Sequence, residues 1–178
     1  MDIGVISVRY ARALLSAAMD AKVEDKVYGD MAIISKNYID FPQLRRTVDN
    51  PMLSKEKKGA LLIAAAGKKP TVLTKTFIQM VVEADRADMM QFIANSYITL
   101  YRKEKNIVSG KLTTATPVSH AVEQKMRKMV ENETNGNVEF EIKSDPDIIG
   151  GFILEYDTYR MDASVKSRLN AILTHLSK

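Results

Sequence analysis

Residues 145–176 read DPDIIGGFILEYDTYRMDASVKSRLNAILTHL, a run in which turn signals, a strand pattern and a capped amphipathic helix follow one another without a break. Gly150 and Gly151 supply a hinge free to take positive φ, because neither carries a Cβ. Phe152, Leu154 and Tyr156 then alternate with Ile153, Glu155 and Asp157, the two-residue period of a strand with one apolar face. Asp162 is placed to cap a helix, its carboxylate accepting the free N–H groups of the first turn. Val165, Leu169, Ile172 and Leu176 recur at helical offsets, and a stripe of that kind requires a sheet to lie on.

Working back toward the N-terminus, the same mixture continues. Val138, Phe140 and Ile142 alternate with Glu139, Glu141 and Lys143, a half-buried strand with a wet face. Before it, Val122, Met126, Met129 and Val130 share one side of a helix that closes at Asn135-Gly136-Asn137. Earlier still, Val108, Leu112 and Thr114 alternate with Ser109, Lys111 and Thr113 until Pro117 ends the strand. Residues 106–178 thus form a small α+β unit in the order strand, helix, strand, strand, helix.

Residues 1–105 carry a different period. Ile3, Ile6, Tyr10, Ala13 with Leu14, and Ala17 form one helical stripe, and its small residues allow close approach of a partner helix. Val23, Val27, Met31, Ile34 and Tyr38 form a second. Pro42 opens a short third helix that Asn50-Pro51 stops, since the residue before proline is pushed out of the α region. Ser54 caps a fourth, with Gly67 at its C-terminal end. Pro70 opens a fifth, in which Leu73, Phe77, Met80, Val81 and Ala84 span a wide apolar face. A sixth starts near Asp88 and carries Met89, Phe92, Ile93, Tyr97 and Leu100. Six helices without a strand pattern predict an α-bundle, with the boundary where helical period yields to alternation.

Composition narrows the function classes. The chain has 178 residues, 46% apolar and 27% charged, values typical of globular proteins. It has no cysteine, which excludes disulfides and thiolate metal sites and agrees with a reducing compartment. The start MDIGVISVRY is not a secretory signal. The longest unbroken apolar run, residues 60–66, is far below the roughly 20 residues that a membrane helix needs, so membrane association is expected only through partners. Residues 1–105 hold 17 of the 26 basic and 12 of the 22 acidic side chains. That mild excess leaves a basic helical nucleic-acid-binding protein as the alternative reading. The Lys clusters sit at helix ends and are diluted by Glu56 and Gly67, as solvated termini are.

No constellation for chemistry stands out. Gly67-Lys68-Lys69-Pro70-Thr71 lacks the first glycine of a phosphate loop, since position 62 is Leu. Asp145-x-Asp147 lacks the third ligand of a calcium loop, Ile149 standing there. His120 and His175 are each alone on a helix, without a second ligand at metal spacing. No metal, cofactor or nucleophile is assigned, and an enzyme is not expected.

The motifs do resemble a known family. Asp145-Pro146, Ile149-Gly150-Gly151-Phe152, Asp162-x-Ser164-Val165 and Leu169 are similar to the C-terminal signature of the delta subunit of F-type ATP synthases, related to the mitochondrial oligomycin-sensitivity-conferring protein. Arg9-Tyr10-Ala11-Arg12-Ala13-Leu14 resembles that family's opening motif, and Asn50-Pro51, Lys57-Lys58 and Arg86 fall where it has a proline break, a basic residue and an arginine after the fifth helix. The resemblance implies a non-catalytic stator subunit that clamps catalytic head to peripheral stalk on the cytoplasmic face of a bacterial membrane. It implies that N-terminal helices of the alpha subunits dock between the first and fifth helices, against Tyr10, Ala13, Leu14 and Ala17 on one wall and Phe77, Met80, Val81 and Ala84 on the other. It also implies that the second unit meets the C-terminus of the stalk b subunit, with Gly150, Gly151, Phe152, Asp162, Ser164, Val165 and Leu169 mainly shaping that unit's fold.

Overall fold

In a computed structural model of the chain, the structure describes residues 3–134, 136–156 and 159–176, with the backbone alone for 133, 134, 175 and 176. Asn135, Asp157 and the side chains of His175 and Leu176, which carried parts of the sequence reading, lie outside the described residues. The chain divides into two compact units, Met1–Lys103 and Glu104–Lys178. With eight α-helices and one four-stranded sheet among the described residues, the fold class is α+β.

The first unit contains α1 (Ile3–Asp20), α2 (Glu24–Asp40), α3 (Pro42–Val48), α4 (Lys55–Ala65), α5 (Val72–Glu83) and α6 (Met90–Glu104), with a single 3-10 turn, Ala87–Met89, leading into α6. Its core is sealed by Leu14, Met31, Ile34, Leu62, Ile78, Val81, Met90, Ile93 and Tyr97. Pro42 opens α3, as its fixed φ and missing N–H favour. Gly67, at φ +106°, follows the last turn of α4. Two caps differ from the sequence reading. Ser54 precedes α4 but its side chain accepts no capping hydrogen bond. At α5 it is Thr71, not Pro70, that starts the helix, its Oγ1 accepting from the Thr74 N–H at 3.1 Å. The buried Asp30 of α2 accepts from the Thr71 N–H at 2.9 Å and from the Thr74 hydroxyl at 2.7 Å. A carboxylate at the positive end of a helix is favoured by the helix dipole, so α2 holds the start of α5.

The second unit contains β1 (Ile107–Thr114), α7 (His120–Thr134), β2 (Asn137–Ser144), β3 (Phe152–Tyr156), β4 (Tyr159–Asp162) and α8 (Val165–Leu176). The sheet order is β2-β1-β3-β4; β1 and β2 run parallel through the α7 crossover, and the other pairs are antiparallel. Gly110 lies opposite Phe140 and Tyr156 in the register. A Cβ there would stand 2.7 Å from the Phe140 ring, so the ring occupies the space a side chain would take. The core is Leu112, Val130, Val138, Leu154 and Tyr156, closed over by Met126, Phe140 and Phe152.

Four expectations for this unit change. A fourth strand, β4, follows β3; all four of its residues are exposed, so it has no apolar alternation to read. Gly151 takes positive φ, +75°, but its partner in that conformation is Ile149 at +69°, and not Gly150. Gly150 instead matters for closeness, since a Cβ on it would lie 3.1 Å from Val165 Cγ2. Ser164 caps α8, its Oγ accepting from the Ser167 N–H at 3.2 Å, while Asp162 supports that cap from outside the helix. Its carboxylate accepts from the Ser164 N–H at 2.9 Å and the Ser167 hydroxyl at 2.8 Å. Finally, the apolar stripe of α8 is not covered by the sheet. Val165, Leu169 and Ile172 are exposed, and the helix packs against the 3-10 turn Pro146–Ile148. The helix that covers the sheet core is α7, through Val130 and Met126.

Candidate functional site

On α1 the sealed side chains are Ile6, Ser7, Ala11, Leu14, Leu15 and Ala18, and on α5 they are Thr74, Phe77, Ile78, Val81 and Val82. Each helix carries more apolar surface than this arc uses. Tyr10 and Ala13 fall at the edge of the α1 arc, and Met80 and Ala84 lie outside that of α5. Between the two helices opens a cleft of about 550 Å³ lined by Val5, Ile6, Arg9, Tyr10, Ala13, Met80 and Arg86.

The eight side chains expected to form its walls therefore separate by depth. Tyr10, Ala13 and Met80 line the cleft. Leu14, Phe77 and Val81 are buried, so they are core rather than exposed wall. Ala17 and Ala84 are exposed but do not line it. The half-buried Tyr10 ring stands edge-on to Phe77, centroids 6.4 Å apart at 70°, an arrangement that aromatic quadrupoles favour. Met80 is 46% exposed, and its flexible thioether can adapt to an apolar visitor.

Four lining residues were not in the expected set: Val5, Ile6, Arg9 and Arg86. Arg9 and Arg86 appeared in the sequence only as motif positions. The signal that could have found Arg9 is its place four residues before Ala13, on the same face of the helix. Among the described residues neither arginine makes an ion pair; Arg86 Nη1 lies 4.0 Å from Met89 Sδ. The cleft thus joins an apolar lining to two permanent positive charges.

In the second unit, Ser164 and Asp162 form the α8 cap, Gly150 and Gly151 make close approaches to the start of α8, and Phe152 is half-buried beside the core. Hydrogen bonds from the Ser164 hydroxyl and N–H and from the Ser167 hydroxyl lower the Asp162 carboxyl to about 2. Val165 and Leu169 face solvent in part. Asp145 accepts the Asp147 N–H at 3.1 Å, as an acid in a tight turn does. His120 sits on the surface near Glu123 and Gln124.

Among the described residues no group of three or more His, Asp or Glu is arranged to hold a metal. Among the same residues no helix is long and apolar enough to cross a membrane. What the arrangement offers is a contoured apolar surface with charged edges.

The family model for the ATP synthase delta (OSCP) subunit matches residues 6–176. A protein described as ATP synthase subunit delta from Phocaeicola vulgatus is 45% identical over 97% of this chain and 94% of its own length. One of the same description from Parabacteroides distasonis is 41% identical over 99% and 98%. Among solved structures, a chain of the Toxoplasma gondii mitochondrial ATP synthase hexamer, seen by cryo-electron microscopy, superposes with a TM-score of 0.67 at 26% identity, covering 97% of both chains. The chain belongs to the ATP synthase delta (OSCP) subunit family.

Proposed function

We propose that this chain works without catalysis, as the stator brace of a proton-translocating F-type ATP synthase. Its six-helix N-terminal unit, residues 1–105, receives N-terminal helices of the catalytic-head alpha subunits in the cleft between α1 and α5. Its α+β unit, residues 106–178, meets the C-terminus of the peripheral-stalk b subunit. The protein is then peripheral, at the cytoplasmic face of the bacterial membrane and joined to it only through partners. The head must not turn with the central shaft, so each joint has to hold under torque. A nanomolar joint corresponds to about 12 kcal/mol, which buried apolar helix contacts can supply.

The observation that carries the reading is Met80, Tyr10 and Ala13 lining an open cleft, with Tyr10 packed edge-on against the buried Phe77. The test is calorimetric titration with a synthetic peptide of the N-terminal helix of the alpha subunit from the same source. Micromolar or tighter binding is expected, and Met80→Asp should weaken it by about 30-fold, because an unpaired charge placed against an apolar partner costs about 2 kcal/mol. Absence of binding to the unaltered protein removes the head-docking role.

A further inference from the structure

The α5 wall of the cleft is fastened at its far end by a residue outside the cleft lining. α5 closes on Ala84 in a Schellman arrangement: the Asp85 N–H donates to the Val82 carbonyl and the Arg86 N–H to the Val81 carbonyl, each at 3.0 Å. Such an ending needs a left-handed residue just past the cap. Glycine is the usual choice there, yet Asp85 takes the position, at φ 57°. The next residue, Arg86, lines the cleft. The turn therefore sets the point from which one of the two cleft arginines starts.

Lys55, the first residue of α4, holds that turn from outside. Its Nζ lies 2.7 Å from Asp85 Oδ1 and donates to the Glu83 carbonyl at 3.0 Å, one of the carbonyls that the end of α5 leaves without a helical partner. One ammonium thus grips the left-handed residue by its side chain and the last helical turn by its backbone. A cation is disfavoured at the start of its own helix and favoured at the end of another, because the helix dipole is positive at the first and negative at the second. Lys55 loses at α4 and gains at α5, so its position is explained by α5. With Asp30 at the start, each end of this wall is held by a charge opposite to its dipole, supplied by a different helix. Lys55 and Asp85 line a hollow of their own with Lys58 and Asp88. Their side chains are 48% and 77% exposed, and an ion pair that open to water adds little to stability. What it fixes is position.

We propose that Lys55 is a positioning residue for the docked alpha helix, holding the turn 83–86 in the form that presents Arg86 to the cleft. The inference rests on the reading of the cleft as the head-docking site, and it adds to that site a residue that makes no contact with the visitor. Glycine at position 85 would take the left-handed conformation with less strain but leave Lys55 without a carboxylate. Aspartate gives up that ease and keeps the tether.

The test titrates the full chain with the alpha-subunit peptide by calorimetry and follows amide hydrogen exchange at Asp85 and Arg86. Lys55→Gln is expected to weaken the peptide about fivefold, in the range that residues without ligand contact reach. Lys55→Arg, which keeps the charge and the donors, should hold binding within about twofold. Asp85→Gly separates tether from fold. Its melting temperature should stay close to wild type, since relief of strain in the turn offsets the freedom gained by the unfolded chain, while binding falls about threefold and both amides exchange faster. Arg86→Gln alone should weaken the peptide, and Lys55→Gln added to it should change nothing more, because a residue that acts through Arg86 then has nothing left to position. Additive losses, or equal binding by wild type and Lys55→Gln, overturn the role of Lys55 and leave the docking reading standing. Absence of peptide binding to the unaltered chain overturns the docking reading and this role with it.

Discussion

The cleft between α1 and α5 and the outer stripe of α8 are both apolar surfaces, yet they stand on different foundations. In the two helices that bound the cleft Leu14, Phe77 and Val81 are all buried, and the start of α5 is held by Asp30. A visitor there meets walls whose positions the core has already set. The α8 stripe belongs to one helix packed against a 3-10 turn, capped by Ser164 and Asp162. Its shape is set by capping hydrogen bonds and two close glycine approaches rather than by packing. Preorganisation of the cleft comes from burial, and that of the stripe from local backbone geometry.

That contrast can be broken at its strongest point first. Phe77→Ala should destabilise the first unit by about 3 to 5 kcal/mol, because it removes a buried ring and leaves Tyr10 without its edge contact. Urea denaturation checks this, and a loss below about 1 kcal/mol would mean that Phe77 is not core. Next is Gly151→Ala. Its φ of +75° and the contact of an added Cβ with the Ala163 carbonyl predict a loss of about 3 kcal/mol in the second unit, with alpha-peptide binding retained. Met80→Asp and Leu169→Asp should each change folding stability by no more than about 0.5 kcal/mol, since both side chains are nearly half exposed. A thermal melt that falls sharply for either would move that residue from surface to core.

The smallest effect sharpens the second half of the comparison. The Asp162 carboxyl titrates at about 2 in the folded chain, below its ordinary value of 3.8, because the Ser164 and Ser167 donors favour its charged form. A depressed folded value means that its contribution is fully present above about pH 4 and is lost as pH falls toward about 2. Asp162→Asn should remove that portion of the acid sensitivity by lowering melting slightly near neutral pH, where the carboxylate contributes, and leaving melting near pH 2 unchanged. Because Asp162 is fully exposed, the difference between the two acid melting profiles should be small.

The legibility of the chain follows the range of the forces involved. Pro42 at the start of α3, Gly67 after α4 and the alternation in β2 and β3 were all readable, because each depends on the backbone within a few residues. β4 was not. Tyr159, Arg160, Met161 and Asp162 are exposed, and they form a strand because β3 offers an edge to pair with, not because their side chains alternate. The exchange of roles between Gly150 and Ile149 was hidden for a similar reason, since Gly150 approaches Val165 and accepts its N–H fifteen residues along the chain.

By itself the sequence determined that two kinds of period share one chain, where most of the helices and three strands lie, and which family motifs they carry. Only the tertiary structure decided which arc of each amphipathic helix is spent on the protein's own core. The stripes of α1, α5 and α8 look alike in sequence, yet Leu14 and Val81 are sealed, Met80 is open over a cleft, and Leu169 is uncovered. Hydrophobic periodicity records that a side chain prefers to leave water, but it carries no information about which surface will cover it.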